Sequence, residues 1–109
     1  MIEVILGSKN AERVLMYIYA RGEGYAREIA RFYETDLLPI QKQLDKLEAG
    51  GILVSREVGK TRPYVFNPRY PFLNELKTLL EKAFLFYPQQ EREELLMNRR
   101  RPRARGKVL

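Results

Sequence analysis

The sequence contains neither cysteine nor histidine among its 109 residues. The absence of cysteine excludes disulfides, thiolate metal sites and cysteine nucleophiles. The absence of histidine removes the commonest metal ligand and the usual general base near neutral pH. No glycine-rich phosphate loop or nucleophile motif is present either. We therefore predict a protein that is not an enzyme, with no catalytic residues, no metal site and no cofactor.

Long apolar runs are also missing, because no segment is hydrophobic over the roughly 20 residues that a membrane helix needs. The first seven residues lack the positively charged head of a signal peptide. We therefore expect a cytoplasmic protein that does not contact a membrane. Hydrophobic residues make up 45% of the chain, which is enough for one folded domain with a modest core.

The net charge of +6 is distributed unevenly along the chain. Residues 99–109 hold six basic side chains and no acidic one, so this segment alone carries a charge of +6. The rest of the chain holds 14 basic and 14 acidic side chains. Nucleic-acid binding by the folded part must therefore be judged from local arrangement and not from the overall charge.

Apolar residues recur with helical spacing in four segments. Ser8 and Asp36 each precede one of these segments and are suitable N-cap residues. Gly50 and Gly51 provide a C-terminal stop for the third segment, and Pro88 ends or kinks the fourth. The predicted helices cover residues 9–21, 26–33, 37–49 and about 71–87.

Two short strands are predicted over residues 52–58 and 63–67, on either side of a glycine-containing connection. The complete order predicts a mainly α-helical fold with a small β-hairpin, which is a winged helix-turn-helix. In that fold the third predicted helix lies across a groove of DNA, and the hairpin, or wing, reaches the flanking backbone.

The predicted organisation has three parts. Residues 1–87 form the winged helix-turn-helix domain, and its last helix serves for dimerisation. Residues 88–98 form a short helical extension. Residues 99–109 form a basic, disordered tail, which would either follow DNA phosphates or serve only to keep the protein soluble.

Several segments resemble ArsR-type winged-helix regulators, in particular a subgroup found beside nucleotidyltransferase domains. They are residues 6–15 (LGSKNAERVL), 25–31 (YAREIAR), 43–53 (QLDKLEAGGIL) and 62–68 (RPYVFNP). The resemblance implies DNA binding through the third helix and the wing, and dimerisation through terminal helices. Metal-sensing members use cysteine and histidine ligands, which are absent here, so we do not expect a thiolate metal sensor. Leu37, Leu38 and Pro39 stand where family members usually have small polar residues.

The candidate DNA-binding residues come from the third helix and the wing. Residues 39–69 hold six basic and three acidic side chains, a local excess that favours contact with phosphates. Gln41 is the best candidate for a base contact, because glutamine can pair with adenine through two hydrogen bonds. The full set of predicted DNA-binding residues is Gln41, Lys42, Lys46, Arg56, Lys60 and Arg62.

The fourth helix carries a longer apolar stripe than three short helices can cover, which predicts a homodimer that reads a palindromic site. The predicted interface residues are Phe72, Leu76, Leu79, Leu80, Ala83, Phe84 and Tyr87.

Two alternatives to a sequence-specific regulator of double-stranded DNA remain open. In the first, the protein is an interaction module that docks a partner protein such as a nucleotidyltransferase-like protein. The apolar tip of the third helix at Leu37 and Leu38 favours this reading, whereas the basic wing favours DNA. In the second, a small-molecule effector controls a regulator, since such pockets leave no trace in a sequence.

Overall fold

The structure, a computed structural model, describes residues 1–97; the predicted tail over 99–109 lies outside this part. The described residues form six helices and one antiparallel sheet of two strands. The elements are α1 (Glu3–Leu6), α2 (Lys9–Arg21), α3 (Ala26–Phe32), α4 (Leu37–Ala49), β1 (Leu53–Ser55), β2 (Tyr64–Phe66), α5 (Leu73–Leu85) and α6 (Gln89–Met97).

Helix α2 is the centre of the core and follows the predicted boundaries. Ser8 caps it by accepting a hydrogen bond from the Ala11 N–H at 3.0 Å, which satisfies one free donor of the first turn. The helix ends at Gly22, whose φ of 88° suits glycine. Every residue from Val14 to Ile18 is buried, because other helices pack around α2 on several sides.

The helix-turn-helix consists of α3, the turn at residues 33–36, and α4. Glu34 adopts a left-handed conformation in this turn, with φ of 53°. Asp36 occupies the N-cap position of α4, although its side chain accepts no hydrogen bond from the first turn. Ile40, Leu44 and Leu47 are buried, which confirms the predicted core face of this helix.

The wing is shorter than the two predicted strands. Leu53 pairs with Phe66 and Ser55 with Tyr64, and the ladder then stops because the next residue of the second strand is Pro63, which has no N–H to donate. Further out, Val58 and Thr61 exchange backbone hydrogen bonds of 2.8 and 3.0 Å that close the tip. The described elements thus form the mainly helical winged helix-turn-helix that the sequence predicts.

Helices α5 and α6 also pack against α2. Leu95 of α6 is fully buried in the common core. The Arg21 guanidinium donates to the carbonyl oxygens of Leu95 at 2.8 Å and Glu94 at 3.0 Å. The same group lies over the Tyr17 ring at 4.4 Å. The segment after Pro88 is therefore integrated with α2 through both apolar and polar contacts.

Helix α1 is absent from the sequence-based prediction. It spans only four residues, has no side-chain cap and ends at Gly7, where φ is 105°. Such a short segment contains too few residues to display a helical repeat. Within residues 1–97, no helix is long and apolar enough to span a membrane.

Candidate functional site

A groove of about 590 Å³ opens between α3, α4 and the wing. One wall is formed by the start and the exposed side of α3, and the opposite wall by the wing. The floor is one side of α4. The lining residues are Tyr25, Ala26, Arg27, Glu28, Arg31, Leu37, Gln41, Asp45, Glu48, Lys60, Thr61, Arg62 and Tyr64.

A backbone bridge between Gly24 and Tyr64 sets the distance between the two walls. The two residues exchange N–H to carbonyl hydrogen bonds of 3.0 and 2.8 Å. A Cβ atom at Gly24 would lie only 2.9 Å from the Ile29 side chain and 3.1 Å from the Tyr17 ring. Glycine therefore lets this segment lie against Ile29 and Tyr17 while its backbone pairs with β2, and the wing is attached directly to the helix-turn-helix.

Basic side chains stand on both walls of the groove. Arg27 and Arg31 lie one helical turn apart on the exposed side of α3, and Lys60 lies at the wing tip. Among residues 1–97, none of these three forms an ion pair within 4.0 Å. Their charges are consequently available to an anionic ligand that lies along the groove.

Arg62 differs from Arg27, Arg31 and Lys60, because it forms an ion pair and a hydrogen bond within the protein. It pairs with Glu57 at 3.5 Å and donates to the Ser55 hydroxyl at 3.2 Å. Ser55 in turn donates to Glu48 of α4 at 2.6 Å. This chain of contacts joins the wing to the floor of the groove, so Arg62 contributes to the position of the wing.

Gln41 stands at the centre of the floor and is half-buried. Its Nε2 atom donates to Asp45 Oδ1 at 2.9 Å and to the Tyr64 hydroxyl at 3.1 Å. Tyr64 is buried in the core. The glutamine amide is thereby attached to a rigid part of the fold, and its orientation in the groove is determined.

The side of α4 that faces away from the core carries Leu38, Lys42, Asp45 and Ala49, all of which are exposed. Lys46 is also exposed, one turn after Lys42. This face therefore presents two cations, one anion and two apolar groups. Neither lysine lines the groove itself, although both lie on the helix that forms its floor.

The predicted DNA-binding residues thus divide into three places. Gln41, Lys60 and Arg62 line the groove, and Lys42 and Lys46 lie on the adjoining outer face of α4. Arg56 is exposed and lines a separate depression of about 110 Å³ together with Glu23 and Val65.

Sequence reasoning missed Arg27, Arg31 and Tyr25. The two arginines flank the buried pair Ile29–Ala30, so their helical spacing could have indicated an exposed basic edge. Tyr25 lies at the mouth of the groove, where burial and the nearby carboxylates of Glu23 and Glu28 raise the pKa of its hydroxyl. No local pattern marks this tyrosine.

A second region, which we call the terminal face, comprises residues 1–8, the end of α5, helix α6, and the side chains of Glu12 and Tyr33 beside them. Its centre is the buried carboxylate of Glu12. Glu12 accepts hydrogen bonds from the Ile2 N–H at 2.8 Å, from the Met1 amino group at 3.1 Å and from the Tyr87 hydroxyl. Burial, followed by this bond to Glu12, raises the pKa of Tyr87.

The residues predicted for a dimer interface are covered to different degrees. Leu80 and Ala83 are buried within the chain itself, so they are covered without a partner. Leu76, Phe84 and Tyr87 are partly buried against the same core, and Leu79 is half-buried. Phe72 is 63% exposed. The large apolar side chains exposed on the terminal face are instead Met1, Val4, Ile5, Leu85 and Phe86.

Comparison of the sequence with known protein families and with curated proteins finds no match. Among solved structures, the chain is similar to a variant of Lactococcus lactis ZitR in its apo form, with a TM-score of 0.54. The two share 16% sequence identity, and the match covers 78% of this chain and 73% of that chain. At this identity the likeness shows a common winged-helix fold.

Proposed function

We propose that this protein is a transcriptional regulator that binds double-stranded DNA as a homodimer. Helix α4 enters the major groove, and the wing and α3 contact the phosphates on either side. The proposal takes its support from the fold, since a helix-turn-helix presents its second helix to the major groove. The resemblance of several segments to ArsR-type regulators is consistent with it.

The observation that carries the proposal is the distribution of free cations around α4. Arg27 and Arg31 on one side and Lys60 on the other have no ion pair among the described residues. Lys42 and Lys46 are exposed on the adjoining outer face of α4. A duplex seated on α4 would bring its two phosphate strands next to these side chains, where each neutralised phosphate releases counterions.

Dimerisation is proposed through the terminal face together with the exposed part of α5. Phe72, Leu85 and Phe86 are each more than 60% exposed, and clusters of exposed apolar side chains are typical of interaction surfaces. A dimer with twofold symmetry would present two copies of α4 to successive turns of the duplex.

The proposed function is tested by measuring duplex binding of the full-length protein over a range of salt concentrations. In the double variant Lys42→Gln, Lys46→Gln, affinity should fall for all duplexes, and the salt dependence should flatten by about one unit of slope per lost phosphate contact. Lys9→Gln, Arg69→Gln removes the same charge from two exposed residues that belong neither to the groove nor to the proposed dimer surface, and it serves as the control. Equal binding by the two double variants would contradict the proposed role of α4.

One observation favours the alternative, a protein-docking module. Leu38 is 63% exposed at the tip of α4, and Leu37 beside it is 37% exposed. If this apolar tip docks a protein, Leu38→Ser should abolish partner binding, whereas the lysine variants should have no effect on it. If the tip lies against DNA, Leu38→Ser should alter the preferred duplex sequence and leave the salt dependence unchanged.

A further inference from the structure

The contacts of Gln41 restrict the bases that α4 can read. A carboxylate at neutral pH only accepts hydrogen bonds, so the atom that faces Asp45 must be the amide nitrogen of Gln41. That nitrogen donates one hydrogen to Asp45 at 2.9 Å and the other to the Tyr64 hydroxyl at 3.1 Å. Both amide hydrogens are therefore occupied, and only the Oε1 atom remains free to contact a base.

The neighbouring side chain, Asp45, also only accepts hydrogen bonds. Asp45 is exposed beside Gln41 and lines the same groove, and a carboxylate offers two acceptor oxygens and no donor. Gln41 and Asp45 together thus present an edge of α4 that only accepts hydrogen bonds. The pairing of glutamine with adenine needs one donor and one acceptor from the amide, and this arrangement leaves no donor.

We propose, on the basis of the proposed function, that Gln41 and Asp45 select cytosine in the major groove and that Tyr64 is the positioning residue for this choice. Cytosine presents its N4 amino group as a donor and has no acceptor on its major-groove edge. Guanine presents two acceptors and thymine one, and both would face the oxygens of Gln41 and Asp45. Adenine presents its N6 amino group as a donor, but its adjacent N7 acceptor would also face the oxygens of Gln41 and Asp45.

Two variants that free an amide hydrogen should shift this preference. Tyr64→Phe retains the buried ring and removes the hydroxyl, so one amide hydrogen becomes available to adenine N7. Asp45→Ala frees the other hydrogen and also removes the carboxylate that opposes N7. Both variants should move the preference from cytosine to adenine, by about tenfold in relative affinity, which is a typical size for discrimination by one paired contact.

The experiment is selection of bound fragments from random duplexes, carried out with the full-length protein. The position read by Gln41 is the one whose preference disappears in Gln41→Ala. Wild type should select cytosine there, and Tyr64→Phe should select adenine. Tyr25→Phe is the matched control, because it removes another groove hydroxyl whose partner is Glu23, and it should still select cytosine.

The outcomes separate this inference from the proposed function. Adenine at that position in wild type, or the same preference in Tyr64→Phe and wild type, would overturn the cytosine assignment even if duplex binding still weakens with salt. The assignment would also be overturned if Gln41→Ala retained every preference. If no duplex is bound even at low salt, the proposed function fails together with the inference.

Discussion

The groove and the terminal face differ in whether their polar side chains are open to solvent or buried. In the groove, Gln41, Asp45 and Arg62 belong to side-chain networks that remain open to solvent. In the terminal face, Glu12 and the Tyr33 hydroxyl are buried, while apolar side chains such as Val4 and Phe86 are exposed. The first arrangement suits a charged ligand that exchanges with water, and the second suits attachment to protein surface.

This difference leads to opposite expectations for substitutions. A charged group removed from the rim of the groove should change binding with little effect on stability, since exposed ion pairs contribute little. A buried group removed from the terminal face should change stability with little effect on the salt dependence of DNA binding. The following predictions test this separation, beginning with the largest effect.

The largest effect is expected for Leu95→Ala in α6. Leu95 is fully buried, so the substitution leaves a cavity and should lower the free energy of unfolding by about 2–5 kcal/mol. Leu38→Ala, at a residue that is 63% exposed and lies outside the proposed dimer surface, is the control and should have almost no effect. Urea unfolding measures both. A stable Leu95→Ala protein would mean that α6 does not belong to the folded domain.

A smaller effect is expected for Glu12→Ala. The substitution removes the acceptor of the Ile2 N–H and of the Tyr87 hydroxyl, and should cost about 1–3 kcal/mol because partly buried donors lose their partner. Glu3→Ala, whose side chain is 44% exposed, is the matched carboxylate control. Combining Glu12→Ala with Tyr87→Phe should cost less than the sum of the two single changes.

Ionisation of the buried tyrosines should have almost no effect on the free energy of unfolding at neutral pH. Its effect should grow as the solution becomes alkaline. Burial raises the pKa of Tyr17 and Tyr33 above the ordinary value of 10.0, and burial followed by the bond to Glu12 raises that of Tyr87. The folded protein therefore retains protons above pH 10 that the unfolded chain has lost. Because the native state then binds more protons, the free energy of unfolding should fall as pH rises.

Urea unfolding at about pH 9 and about pH 11 checks this sign. Tyr33→Phe offers a specific comparison, since its buried hydroxyl has no hydrogen-bond partner among the described residues. The variant should match wild type near neutral pH and lose less stability in alkali. Stability that increases between the two pH values would show that these phenols are not protected in the folded state.

The sequence predicts the fold well where signals are local. The ends of α2 and α4 follow from Ser8, Asp36 and the Gly50–Gly51 pair, and their core faces follow from helical spacing. Helix α1 could not be predicted in this way, because four residues show no repeat. The strands were predicted too long, since the second one was extended to Pro63, which cannot donate a hydrogen bond to the ladder.

The candidate site was predicted less completely, because its contacts join residues far apart in the chain. Gln41 and Tyr64 form a hydrogen bond although they are 23 positions apart in the sequence, and Glu12 and Tyr87 do so although they are 75 positions apart. No periodic pattern in the sequence indicates such pairs. Residue type alone indicated that Gln41 could read a base. Only its two partners show which of its hydrogen-bonding atoms remains free.

The central claim is that the groove, and not the overall charge, binds DNA. Two double variants of the full chain with equal charge test it most directly. Arg27→Gln, Lys60→Gln removes one cation from each wall of the groove. Lys9→Gln, Arg69→Gln removes two exposed cations that belong neither to the groove nor to the proposed dimer surface.

The measurement is duplex affinity as a function of salt for both variants and wild type. The groove variant should bind more weakly, with the salt slope reduced by about one unit for each lost phosphate contact. The control variant should retain nearly the wild-type slope. Equal losses in the two variants would contradict the account, because binding would then follow net charge and not the groove.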